Sequence, residues 1–188
     1  MSHFKKILAI VFSIFLSGCA TVLPNQSSKG WSVDNRVSTG VIVGKLSFAL
    51  LGGSYRVCLK NLNTNKTYEI HERDGAFEWK HSNQGYLEKF FCVELPAGDY
   101  LIASVNLADP MYAGGIKTNF TLSVKPNKIT YVGTLKYDWQ QTTNYFLWKK
   151  GKSCFQVVDE YSSAQHEVQS QCPWLSNYEI GEDLIKLK

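Results

Sequence analysis

Long apolar runs are scarce in this 188-residue chain. The longest, Ile7 to Leu16 (ILAIVFSIFL), is interrupted by Ser13 and falls short of the roughly 20 residues that a helix needs to cross a bilayer. Concentrated charge of one sign is also missing. Lys and Arg number 20 against 16 Asp and Glu, and the first eighteen residues hold two of the lysines and no acid, which leaves the remainder at +2. With basic residues scattered among acids, the footprint of a nucleic-acid binder is absent. Past residue 18 there is no GxSxG or SxxK around a nucleophile. The chain has no CxxC or HxxxH spacing for a metal or redox pair. Gly114-Gly115 lacks the lysine of a phosphate loop. Neither a catalytic residue, a metal nor a cofactor is expected.

What is present begins with an address. Met1 to Lys6 carries Lys5 and Lys6, and the apolar run follows directly, which is the layout of a secretory signal peptide. Leu16-Ser17-Gly18-Cys19 resembles the lipobox of Gram-negative bacterial lipoproteins. That resemblance implies cleavage before Cys19, a diacylglyceryl chain on its thiol and an acylated new N-terminus. Multiple acyl chains anchor a protein stably without a transmembrane helix. Ala20 in place of an aspartate implies the outer membrane, periplasmic face, with the cell surface as the variant address. The expected organisation is a signal peptide over 1–18, a lipidated N-terminus and polar tether over 19–39, a folded body over 40–158 and a C-terminal tail over 159–188.

The body reads as an all-β domain: short runs of β-favouring residues punctuated by turn signals. Val41 to Leu50 is a core strand, and Tyr55, Val57 and Leu59 alternate with Arg56, Cys58 and Lys60. Pro96-Ala97-Gly98-Asp99 is a tight turn. Lys125 to Lys128 turns the Phe120–Val124 strand into a partner strand, Ile129 to Tyr137. At least seven strands predict an antiparallel β-sandwich. Asp159 to Gln171 has helix formers with Tyr161, Ala164 and Val168 on one face and Pro173 as a stop, so the tail is expected to be a short helical segment packed on the sandwich. Pro96, Gly98 and Tyr100, with Tyr131, Val132 and Gly133 later, resemble the prealbumin-like or carboxypeptidase-regulatory-like sandwich of small bacterial lipoproteins. The resemblance covers roughly 40–137 and implies no catalytic residues.

With Cys19 lipidated, four thiols remain, which allows three pairings in an oxidising compartment. Strand neighbours favour Cys58 with Cys92, and the tail favours Cys154 with Cys172, each loop stabilising by about 3–4 kcal/mol. His71 sits beside Glu69, Glu72 and Asp74, His81 in a polar turn and His166 on the tail helix; all three read as solvated positions. Glu78, Glu88, Glu94 and Asp99 read as outward-facing carboxylates rather than a glycosidase pair. The aromatic load is the one suggestive excess: Phe, Tyr and Trp make up 13% of the chain, and Trp139, Tyr145 and Trp148 cluster among amides. They are the expected binding surface. The expected function is that of a non-enzymatic binding or structural component of the envelope, held to the membrane by its lipid and contacting another envelope protein. A glycan or cell-wall binding module is the second reading and a small envelope hydrolase the third.

Overall fold

The computed structural model describes residues 38–48, 54–71, 80–81, 87–109, 112–144 and 149–188. The expected signal peptide over 1–18, Cys19, the expected tether up to residue 37, Tyr145 and Trp148 lie outside these residues, whereas Thr39, expected to end the tether, begins the first strand. The described residues are mainly β and form two sheets. In chain order the strands are β1 (Thr39–Phe48), β2 (Ser54–Asn61), β3 (Thr67–His71), β4 (Lys80–His81), β5 (Leu87–Pro96), β6 (Gly98–Asp109), β7 (Tyr112–Val124), β8 (Ile129–Asn144) and β9 (Lys149–Val158). A helix, α1 (Tyr161–Gln171), a 3-10 turn (Pro173–Leu175) and two short strands, β10 (Ile180–Glu182) and β11 (Lys186–Leu187), complete the chain.

Six strands make the first sheet, in the order β10-β8-β1-β5-β4, with β9 on the same edge of β8 beyond the point where β10 stops. The second sheet has five, β11-β7-β6-β2-β3. Two expectations change here. The arrangement is not antiparallel throughout, because β1 and β10 both run parallel to β8. Alternation in a sequence reports which face a side chain takes and says nothing of strand direction, and the six intervening strands leave the chain free to return either way. Nor do β7 and β8 pair: β7 belongs to the five-stranded sheet and β8 to the six-stranded one, so Lys125–Lys128 is a corner between sheets. Asn127 takes a positive φ of 54° within it, a conformation that asparagine tolerates well.

Pro96-Ala97-Gly98 is a second such corner, since β5 and β6 also lie in different sheets. Tyr100 closes it by donating its hydroxyl to the Pro96 carbonyl at 2.7 Å, the hydrogen-bonded tyrosine device of sheet-to-sheet crossings. Gly98 has φ of +145°, and an added Cβ would come within 3.1 Å of the Asn61 side chain. Burial pushes the Tyr100 phenol up to about 12, so the hydroxyl keeps its proton at all ordinary pH.

The facing sides of the two sheets enclose one apolar core. Ile42, Leu46, Phe91, Val93 and Leu95 come from the six-stranded sheet, and Val57, Leu59, Ile102, Val105 and Leu122 from the other. The six-stranded sheet is apolar on its second face too. Val41, Val43, Phe90, Cys92, Ile129 and Tyr131 point outward and are covered by Ala164, Val168, Cys172 and Leu175 of the tail. Complete burial of each such aliphatic side chain contributes about 1.5–3 kcal/mol. The tail then runs on as strand: β10 pairs with β8, Ile185 donates its N–H to the Val132 carbonyl, and β11 pairs with β7. It therefore occupies an edge of both sheets, where unpaired backbone would otherwise invite association.

None of the four described cysteines is in a disulfide, so the expected bridges Cys58–Cys92 and Cys154–Cys172 are not formed. Cys58 lies between Val57 and Leu59, which face the core, so it points to the outside of the five-stranded sheet. Cys92 points to the outside of the other sheet, beneath α1. Two sheets stacked about 10 Å apart stand between them, beyond the Cα reach of a disulfide. Cys172 packs near Ile129 and Tyr131, whereas Cys154 lies opposite Asp138, roughly 20 Å further along β8 at 3.3 Å per residue. Alkylation in denaturant without reductant should therefore modify all four. In the native protein the half-buried Cys58 and Cys154 should react well before Cys92 and Cys172, and a pair that resists alkylation until reduced would contradict the fold.

Candidate functional site

The outer face of the six-stranded sheet carries the polar features of interest, and a backbone irregularity positions the first. The β1–β8 register slips between Val43↔Tyr131 and Lys45↔Thr134, with Gly133 at φ +95° supplying the extra residue. An added Cβ at Gly133 would meet Val157 at 3.0 Å, and one at Gly44 would meet the Gly133 carbonyl oxygen at 2.7 Å. Bulges re-aim the side chains that follow them. Here the bulge turns Thr134 toward the helix, where its hydroxyl donates to Glu160 Oε2 at 2.8 Å.

Glu160 is the residue before α1 and the centre of a polar knot. Lys45 Nζ lies 2.6 Å from Glu160 Oε2 and 3.4 Å from Glu88 Oε2. The backbone N–H of Glu160 donates to the Tyr131 hydroxyl at 2.8 Å, and its carbonyl accepts from the N–H groups of Ser163 and Ala164, each at 3.0 Å. Side chain and backbone of one residue thus fix where the helix begins. Burial works against the charged form of Glu160, yet hydrogen bonds from Lys45 and Thr134, with the charges of Lys45 and Lys136, outweigh it and hold the carboxyl below its ordinary 4.5. Burial likewise opposes the charge on Lys45, and the hydrogen bond and charge of Glu160, helped by Glu88 and Glu167, raise it above 10.5 nonetheless. The space left between Lys45, Phe90, Thr134 and Glu160 is about 10 Å³, room for one water molecule and no substrate.

The second feature is a groove of about 380 Å³ between α1 and the returning segment that leads to β10. Gln165 and Gln169 border it from the helix, Tyr178 and Glu179 from the segment, with Val168 at its base. Tyr161 holds one end in place: its hydroxyl donates to the Ile180 carbonyl and its ring packs at 5.6 Å on that of Tyr131. At the other end, Cys172 donates to the Val168 carbonyl, and Tyr178 to that of Leu175.

The residues singled out from sequence are dispersed. Trp139 is a β8 residue opposite Ser153; its side chain, with Cys19, Tyr145 and Trp148, lies outside the described residues. His71 pairs with Arg56 and His81 with Leu87 through the backbone, and His166 is exposed on α1. Glu88 joins the Lys45 knot, Glu94 accepts from Thr39 Oγ1 at 2.9 Å, and Asp99 accepts from Ser123 Oγ at 2.6 Å. Among the described residues no three His, Cys, Asp or Glu side chains gather as a metal site would require. Sequence reasoning missed Gln165, Gln169 and Tyr178. The four-residue spacing of the glutamines on the expected tail helix was the available signal.

No family model matches the chain, and no curated protein matches it. Among solved structures, 53% of this chain is similar to 14% of a leucine-rich repeat protein from Bacteroides thetaiotaomicron, at 18% identity and a TM-score of 0.37. A likeness at that level carries no argument about this chain.

The knot makes a pH-dependent prediction. Because Glu160 titrates lower in the folded protein than in the unfolded chain, its stabilisation is complete above its unfolded value near 4.5 and is lost as pH falls through the folded value. Glu160→Gln should cost about 1 kcal/mol at pH 7, discounted for the partial exposure of the pair. Urea titrations of both proteins at pH 7 and at pH 3 should show that difference shrinking in acid; an unchanged gap would contradict it.

Proposed function

We propose that the protein is a lipoprotein of a Gram-negative envelope, anchored in the outer membrane at Cys19 and facing the periplasm. It works there by binding, as a non-enzymatic or structural component that contacts another envelope protein. The observation that carries this reading is the order of the first nineteen residues: two lysines, an apolar run too short to span a bilayer, then Leu16-Ser17-Gly18-Cys19. The stretch from Ala20 to Val37, with Asn25, Gln26, Ser27, Ser28, Lys29 and Gly30 in succession, suits a tether between lipid and body. The two sheets are read as a prealbumin-like sandwich with the tail helix packed on it. The Pro96–Tyr100 corner supports this finer assignment.

Binding is favoured over chemistry because the charged groups that gather on the described surface are spent on one another. Lys45, Glu88 and Glu160 close around a space for a single water, which makes them an anchor for α1. Even in an oxidising compartment these four cysteines form no disulfide with one another, since disulfides form only where Cα atoms approach within about 7 Å.

Metabolic labelling with a palmitate analogue tests the address. Wild-type protein should label and sediment with membranes, and Cys19→Ser should lose the label and become extractable in buffer. Label that persists on Cys19→Ser would overturn the lipobox reading.

A further inference from the structure

We propose that the groove between α1 and the segment before β10 binds an uncharged saccharide, one or two units of a glycan chain. The reading rests on the envelope address only for the source of that glycan. The groove's own chemistry stands apart from it. At about 380 Å³ it falls within the roughly 300–1,000 Å³ of small-molecule sites. Its base residue, Val168, is fully buried in the layer beneath the helix, so the surface a ligand meets is that of tyrosines, amides, the Ser176 hydroxyl and a carboxylate, with part of Ile180.

Gln165 and Gln169 stand one turn apart on α1, about 6 Å along its axis, and both are exposed. Each amide offers donors and an acceptor, which is the pairing that a hydroxyl, itself donor and acceptor, demands. Six ångströms separates hydroxyls on opposite sides of one sugar ring. Glu179 across the groove adds a pure acceptor, and Tyr161 and Tyr178 contribute rings of the kind that pack on the C–H face of a pyranose. Among the described residues the lining contains no Lys, Arg or His, so a phosphate, sulfate or carboxylate ligand would meet a carboxylate and no counter-charge from them. An apolar peptide side chain would find, among the described residues, only the partly exposed Ile180 as an aliphatic contact. The groove is also held open in advance by the Tyr161 hydroxyl on Ile180 and the backbone bonds of Cys172 and Tyr178, which lowers the ordering cost of binding.

The test uses the mature protein as isolated from cells, reconstituted in phospholipid nanodiscs free of sugar-headed detergent. Ligand-observed NMR titrations would use four probes: a soluble oligosaccharide of glucose, one of N-acetylglucosamine, glucose 6-phosphate, and a short cell-wall stem peptide. A neutral oligosaccharide should bind saturably, and Gln165→Ala/Gln169→Ala should weaken it about tenfold, as loss of two modest hydrogen bonds requires. The melting temperature should hold, since alanine is the better helix former at exposed positions. Absence of saturable binding by either neutral oligosaccharide, undiminished binding by the double variant, or preference for the phosphate or the peptide would each overturn the proposal. Failure of palmitate labelling with oligosaccharide binding intact would sink the envelope address alone, and the reverse pattern would sink the groove alone.

Discussion

The arrangement depends on one constraint: the six-stranded sheet has two apolar faces and both must be kept from water. Val41, Ile42 and Val43 are consecutive and all fully buried, which a sheet with one wet side does not permit. Ile42 faces the core shared with the second sheet and its two neighbours face away from it. A layer of tail residues is thus obligatory. Ala164, Val168, Cys172 and Leu175 supply it, and every other feature of the outer face follows from holding that layer in place.

The polar knot and the groove are the two flanks of that layer. On one side the β-bulge at Gly133 turns Thr134 toward Glu160 and, with Lys45, fixes the first turn of α1. On the other, the chain leaves the helix through Pro173–Leu175 and must come back alongside it to reach β8 as β10. The groove is the space between outgoing helix and returning strand. A binding site here is a by-product of covering the sheet with a helix whose chain then returns to the sheet edge, and its walls are held by the backbone bonds that make the cover.

The β character was legible because Tyr55, Val57 and Leu59 alternate cleanly with Arg56, Cys58 and Lys60, and because Pro96 and Gly98 mark a turn. Strand direction was not legible: nothing in Val41–Phe48 says that its partner Ile129–Tyr137 runs the same way. The continuous run Val41-Ile42-Val43, with Ile129 to Leu135 as its echo, did carry the sign of a sheet buried on both faces. The disulfide pairing failed for a related reason. Cys58 and Cys92 both sit in strands, but they share no sheet, because the chain passes from one sheet to the other between β3 and β4, and each thiol takes the outer face of its own sheet. The groove was hidden because Gln165 and Gln169 acquire meaning only once the Ser176–Ile180 segment lies beside them.

The claim at the centre of this account, that the tail helix seals the second face of the six-stranded sheet, is tested most directly by the unfolding free energy of Val168→Asp. Val168 is fully buried against that face, so a carboxylate there is buried without a partner, and a loss of roughly 3 kcal/mol or more is predicted. A loss within about 0.5 kcal/mol, the size of an ordinary surface substitution, would show that the helix does not cover the sheet.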